Sequence, residues 1–111
     1  MEIRPRNVLN YRTESGVSPF RDWLTSLRDR KARAAVRVRI NRLRQGNLGD
    51  SRSLGEGVYE LRIHYGPGYR VYFSILNREN VVLLCGGHKG TQNRDIERAK
   101  GYWQELRSRA T

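Results

Sequence analysis

Apolar and polar residues alternate with period two along Val58–Phe73, VYELRIHYGPGYRVYF, in two runs separated by Gly66-Pro67-Gly68. Both glycines can take positive φ and Pro67 fixes its own, so the stretch predicts a β-hairpin with those three residues as its loop. That register sets Ile63 opposite Val71 and Leu61 opposite Phe73 on one face. His64 then faces Arg70, and Arg62 faces Tyr72, on the other. One face is apolar; the other carries Glu60, Arg62, His64, Arg70 and Tyr72.

The pattern before the hairpin is partly helical. Residues 2–12 alternate weakly through Ile3, Val8, Leu9 and Tyr11, which predicts a first strand near 7–12, interrupted early by Pro5. Ser18-Pro19 starts a helix, because serine caps free N–H groups and proline is tolerated at the first helical position. Phe20, Trp23, Leu24 and Leu27 supply its apolar stripe. Asp29 caps a second helix that runs to about Gln45, burying Ala32, Val36, Ile40 and Leu43. Residues 46–57 contain four glycines and read as a connecting loop.

After the hairpin, Asn77–Asn80 form a turn, and VVLLC at 81–85 is apolar on both faces, as a central strand requires. Gly86–Gln92, GGHKGTQ, reads as a flexible loop, with the glycine pair serving either to turn the strand end or to admit a ligand. Thr91 is the expected cap of a last helix over about 92–108, with Asp95 in its first turn and Ile96, Ala99, Tyr102, Trp103 and Leu106 toward the core. Gly101 inside that helix costs about 1 kcal/mol relative to alanine and predicts close packing there. The elements run β-α-α-β-β-β-α, an α+β chain, and 111 residues without repeat or linker predict one domain over 1–111.

Charge sharpens this picture. The formal net charge is +11, and 19 of the 22 cationic residues are arginine, the side chain suited to bidentate phosphate recognition. Nucleic acid is the first partner this implies; an acidic protein, or simply an arginine-rich genome, accounts for the same number. From Arg28 to Arg44 there are eight basic residues and one acid. Arg30, Arg33, Arg37 and Arg44 form a stripe that reads as a backbone-tracking surface, a dock for an acidic partner, or a solvated face. In the predicted hairpin register Arg62 and Arg70 are diagonal neighbours, and like charges held so close call for an anion between them, a phosphate; the wet side of an antiparallel sheet is the plainer reading.

Other chemistry is sparse. Cys85 stands alone in an apolar run and reads as a buried thiol. His64 and His88, with no cysteine pair or carboxylate cluster beside them, give no ligand set for a metal, and no cofactor motif is present. No apolar leader and no stretch near 18 apolar residues occur, so a soluble, cytoplasmic protein without membrane contact is expected.

Leu54-Gly55-Glu56-Gly57-Val58-Tyr59-Glu60-Leu61-Arg62, Gly66-Pro67-Gly68-Tyr69-Arg70-Val71-Tyr72, Leu83-Leu84-Cys85-Gly86-Gly87 with Lys89 and Gln92, and Asp95-Ile96-Glu97-Arg98-Ala99 together resemble the RelE/ParE toxin superfamily. Ser18-Pro19-Phe20 and Trp23-Leu24 fit its HigB-like, addiction-module killer branch. His88 departs from that branch, which often has an acid there. The resemblance covers nearly the whole chain. It implies a RelE-like fold, two N-terminal helices and a C-terminal helix around a mostly antiparallel sheet.

It also implies the toxin of a type II toxin–antitoxin pair, silenced by a cognate antitoxin that is often a helix-turn-helix repressor. RelE-like relatives cut mRNA in the ribosome, whereas ParE-like relatives poison DNA gyrase. RNA cleavage without metal needs an activated 2′-hydroxyl, charge stabilisation at phosphorus and protonation of the leaving 5′-oxygen. The residues available are Arg62, Arg70 and Lys89 for charge, and His88, His64, Glu60 and Tyr72 for proton transfer, with His88 preferred because its ordinary pKa suits neutral pH. His64, Tyr72, Gln92 and the stripe of Arg30, Arg33, Arg37 and Arg44 are the candidate RNA contacts.

Overall fold

The computed structural model describes residues 5–109, so Ile3 lies outside the described residues. The order is β1 (Asn7–Asn10), α1 (Pro19–Ser26), α2 (Arg30–Arg44), β2 (Ser51–Ser53), β3 (Tyr59–Ile63), β4 (Tyr69–Ile75), β5 (Asn80–His88), a 3₁₀ turn (Lys89–Thr91) and α3 (Gln92–Arg109). The five strands form one sheet in the order β1-β5-β4-β3-β2. Among the described residues β1–β5 is the one parallel pair, and the α+β, mostly antiparallel architecture is compatible with the RelE-like fold.

The apolar periods decide which helix lies where. Phe20 of α1 and Val36, Ile40 and Leu43 of α2 pack on Leu61, Ile63, Val71, Phe73, Val81 and Leu83. Ala99 and Trp103 of α3 pack on the opposite face against Tyr72, Val82, Leu84 and Cys85. β5 therefore has helices on both sides, which is why its sequence is apolar on both faces from Val81 to Cys85. A register shift opposite Tyr72 and Phe73 skips Leu84 in the ladder, so Leu84 and Cys85 can both serve the α3 face. The helix starts follow from their caps: Ser18 Oγ accepts from Arg21 N–H, and Asp29 Oδ1 from Lys31 N–H.

Five details differ from the sequence expectations. The hairpin pairs Ile63 with Tyr69, Arg62 with Arg70, Leu61 with Val71 and Glu60 with Tyr72, two residues from the expected register, because Tyr65 N–H folds back onto Ile63 C=O and lengthens the loop to 64–68. A shift of two keeps every side chain on its face. It makes Arg62 and Arg70 direct rather than diagonal neighbours, and it takes His64 out of the ladder. A short strand, β2, lies inside the glycine-rich 46–57 segment and pairs with β3.

The remaining differences concern the end of β5 and the last helix. Gly86 and Gly87 belong to β5 and not to a flexible loop. A Cβ on Gly86 would collide with the Trp23 ring, and one on Gly87 with the Asp95 carboxylate, so the pair permits close packing on both faces of the strand. Thr91 sits within the 3₁₀ turn that His88 caps, and its hydroxyl donates to Asp95 at 2.5 Å instead of capping α3. Gly101 has open space beside it, so no close approach explains it.

Candidate functional site

On the α3 face of the sheet, alternate positions of β3 and β4 bring Glu60, Arg62, Arg70 and Tyr72 together, and β2 adds Arg52 opposite Glu60. Glu60 is the hub. Its side chain is 0% exposed, and its Oε1 accepts from Arg52 Nε at 3.0 Å with Arg62 Nε at 3.7 Å. Oε2 accepts from Gln92 Nε2 at 2.8 Å and from the Tyr72 hydroxyl at 3.2 Å, with Arg70 Nε at 4.0 Å. Burial alone would raise the Glu60 pKa; the Gln92 and Arg52 hydrogen bonds and the Arg52 charge outweigh it and hold the carboxyl below its ordinary range. The carboxylate stays ionised.

Three guanidinium groups around one carboxylate leave a surplus of two positive charges. Exposure grades outward: the Arg70 side chain is 10% exposed, Arg62 36% and Arg52 49%. The surplus therefore opens to solvent over β3 and β2, while Glu60 and Tyr72 form its floor. Arg39 of α2 donates to the Arg62 carbonyl at 2.9 Å and fixes that strand from behind.

Lys89 joins from the end of β5. Its N–H donates to Gly68 C=O at 3.0 Å, and a Cβ on Gly68 would lie 3.6 Å from Lys89 Cβ and 3.7 Å from Arg70 Nη1, so Lys89 and Arg70 flank one loop residue. A cleft of about 250 Å³, lined by Lys89, Gly90, Thr91, Gln92, Asn93 and Arg94, opens beside the cluster where Gln92 reaches Glu60.

The proton-transfer candidates separate by environment. Tyr72 is buried, and burial followed by the Glu60 charge pushes its hydroxyl far above the usual phenol range. His88 Nδ1 accepts from Gly90 N–H at 3.0 Å as part of its cap, which leaves Nε2 free of that bond, and the ring lies on the α1 side of β5 with Trp23 and Leu27, across the strand from Glu60. His64 lies outside the cluster, with Nε2 at 2.5 Å from Asp50 Oδ2; that bond holds the Asp50 carboxyl below the usual carboxylate range.

The arginine stripe is separate as well. α2 packs on the other face of the sheet, where Arg30 and Arg37 are exposed, Arg33 donates to the Leu27 carbonyl and Arg44 Nη1 donates to Asn41 at 2.6 Å. Sequence reading missed two parts of the cluster. Arg52 gave no signal, lying between serines in a glycine-rich stretch; Glu60 was a proton-transfer candidate, yet its burial and its five polar neighbours make it an acceptor only. Among the described residues no group of three or more His, Cys, Asp or Glu side chains converges, and no helix is long and apolar enough to cross a membrane.

Comparison with known proteins gives two findings. The family model described as phage-derived protein Gp49-like (DUF891) matches residues 22–103, a span that contains α2, the hairpin, β5 and most of α3. A curated protein of Haemophilus influenzae, named only as an uncharacterized protein, is 49% identical over 87 residues, covering 78% of this chain and 88% of that protein.

Proposed function

The chain belongs to the Gp49-like family of phage-derived proteins, a RelE-like toxin–antitoxin family, and on that premise we propose that it is a ribosome-dependent endoribonuclease toxin of the HigB-like branch. Family membership at this level implies a toxin with an antitoxin partner. The finer reading is one domain over 1–111 that acts in the cytoplasm on mRNA held in the ribosome. A helix-turn-helix antitoxin restrains it. The observation that carries this reading is the cation cluster over β2, β3 and β4, whose surplus positive charge meets solvent beside Lys89.

In this reading the 2′-oxygen attacks phosphorus, forming the O2′–P bond as the P–O5′ bond breaks, and yields a 2′,3′-cyclic phosphate and a 5′-hydroxyl. Arg62, Arg70 and Lys89 take up the charge that accumulates on the phosphoryl oxygens. One proton leaves the 2′-hydroxyl and one reaches the 5′-oxygen. We assign one of these transfers to His88 Nε2 and the other to the ribosome with its bound message. His88 must reach around the end of β5 for this, because its ring lines the α1 side of that strand with Trp23 and Leu27. Tyr72 and Gln92 act through Glu60, because both are committed to its carboxylate. No metal enters: guanidinium groups crowd the space a cation would need.

The test is to induce the chain in cells and map new mRNA 5′ ends by primer extension on a translated message and on a translation-blocked copy. Breaks confined to the translated copy are expected. Intact message with growth arrest and double-strand DNA breaks would replace this reading with gyrase poisoning, for which the α2 stripe is the contact surface. Intact message with normal growth and salt-sensitive nucleic-acid binding would leave a nontoxic binding domain.

A further inference from the structure

We infer that Glu60 is a positioning residue of the proposed RNA site: it gathers the guanidinium groups of Arg52, Arg62 and Arg70 around one point and cancels one of their three charges. Its purpose rests on the nuclease reading; its geometry does not. Arg62 and Arg70 stand directly opposite each other on β3 and β4, where like charges repel, and Glu60 lies one position along the same face, between them and Arg52. Each carboxylate oxygen serves two sides of the cluster. Oε1 faces Arg52 and Arg62, and Oε2 faces Arg70, Tyr72 and Gln92.

The contacts are unequal in kind. Arg52 Nε makes a hydrogen bond, whereas Arg62 Nε and Arg70 Nε are buried within ion-pair range of the carboxylate without a hydrogen-bond partner. Glu60 thus orients those two side chains by charge and leaves the rest of each guanidinium uncommitted to it. The two positive charges left on the arginine cluster, to which Lys89 adds a third at its edge, suit the two negative charges of the phosphorane formed when the 2′-oxygen adds. A resting phosphodiester carries one. Interactions stronger in the transition state than in the ground state raise turnover without tightening substrate binding. Removing the Glu60 charge should therefore leave RNA binding intact or tighter and impair turnover through misoriented arginines.

The experiment compares the full chain with Glu60→Gln and Glu60→Asp in two measurements. The first is the ¹H–¹⁵N spectrum of the arginine Nε–Hε groups in the free protein. Separate, slowly exchanging signals for Arg52, Arg62 and Arg70 are expected in the wild type, merging with the exposed arginines in Glu60→Gln and partly restored in Glu60→Asp. The second is message cleavage in a translating extract. There Glu60→Gln should lose about 100-fold in maximal rate, the scale of loss that a misplacement near 1 Å causes, with the half-saturating concentration unchanged or lower and partial rescue by Glu60→Asp.

Unchanged arginine signals in a folded Glu60→Gln protein, or equal turnover in all three proteins, would overturn the assignment. Should Glu60→Gln fail to fold, Glu60→Asp decides: its shortened carboxylate must shift the Arg52 signal, and no shift overturns the proposal. A wild-type protein that cuts nothing removes the nuclease reading and leaves the spectra to judge the positioning.

Discussion

The two faces of the sheet come from the same strands and differ at alternate residues. Beneath α1 and α2, Leu61, Ile63, Val71, Phe73 and Leu83 form a dry apolar layer. Beneath α3 and beside it, the neighbouring positions Glu60, Arg62, Arg70 and Tyr72 form a charged layer that opens to solvent. The first face gains from area removed from water, so its residues are interchangeable within limits of volume. The second is fixed by direction and sign: Glu60 is the shared partner of its arginines, Tyr72 and Gln92, each at a particular distance. On the proposed function, stability resides mainly in the first face and chemistry in the second, and each can be disturbed without the other.

The largest effect on this division is expected on the dry face. Phe73 is fully buried and stacks on Tyr59 with ring centroids 5.4 Å apart. Phe73→Ala should lower unfolding free energy by about 3–5 kcal/mol, read by urea denaturation. A loss under about 1 kcal/mol would show that this layer is not close-packed. Next comes Gly86→Ala, which places a methyl group against the Trp23 ring while leaving every charged group in place. A loss of about 1–3 kcal/mol is expected from overpacking, and an unchanged melting temperature would show that α1 yields at no cost.

A smaller effect follows from pH on the charged face. The folded-state pKa of Glu60 lies below its ordinary 4.5, so its contribution is fully present above that value and is lost as pH falls through the folded value. Denaturation curves at about pH 6 and about pH 3 should show a steeper loss for the wild type than for Glu60→Gln. Parallel losses would mean that Glu60 gains nothing from its arginines. The smallest effect is expected on α2: Arg30→Ala with Arg37→Ala should change stability by less than about 0.5 kcal/mol, because both side chains are exposed. The same pair should flatten the salt dependence of nucleic-acid binding; an unaltered salt slope would mark the stripe as a solvated face or a protein dock.

The split between the faces was legible in the sequence because period two assigns each residue a side whatever the exact register. The hairpin slipped by two residues relative to expectation and still kept Leu61 and Val71 on one side and Arg62 and Arg70 on the other. The central place of β5, the caps at Ser18 and Asp29 and the core stripe of α3 were legible for the same local reasons. What pairs with what depends on register and on distant chain. Arg52 enters through a three-residue strand too short to leave a pattern, and the roles of Gly86 and Gly87 depend on Trp23 and Asp95, far away or across a turn. His64 left the cluster because the loop is longer than its Gly-Pro-Gly centre.

The division of labour meets its most direct test in the Arg70→Ala, Lys89→Ala double variant, induced in cells beside the wild type, with thermal unfolding of both purified proteins. Growth arrest should be relieved while the melting transition stays cooperative and close to that of the wild type. A folded double variant that still arrests growth at full strength would contradict the placement of function on the charged face.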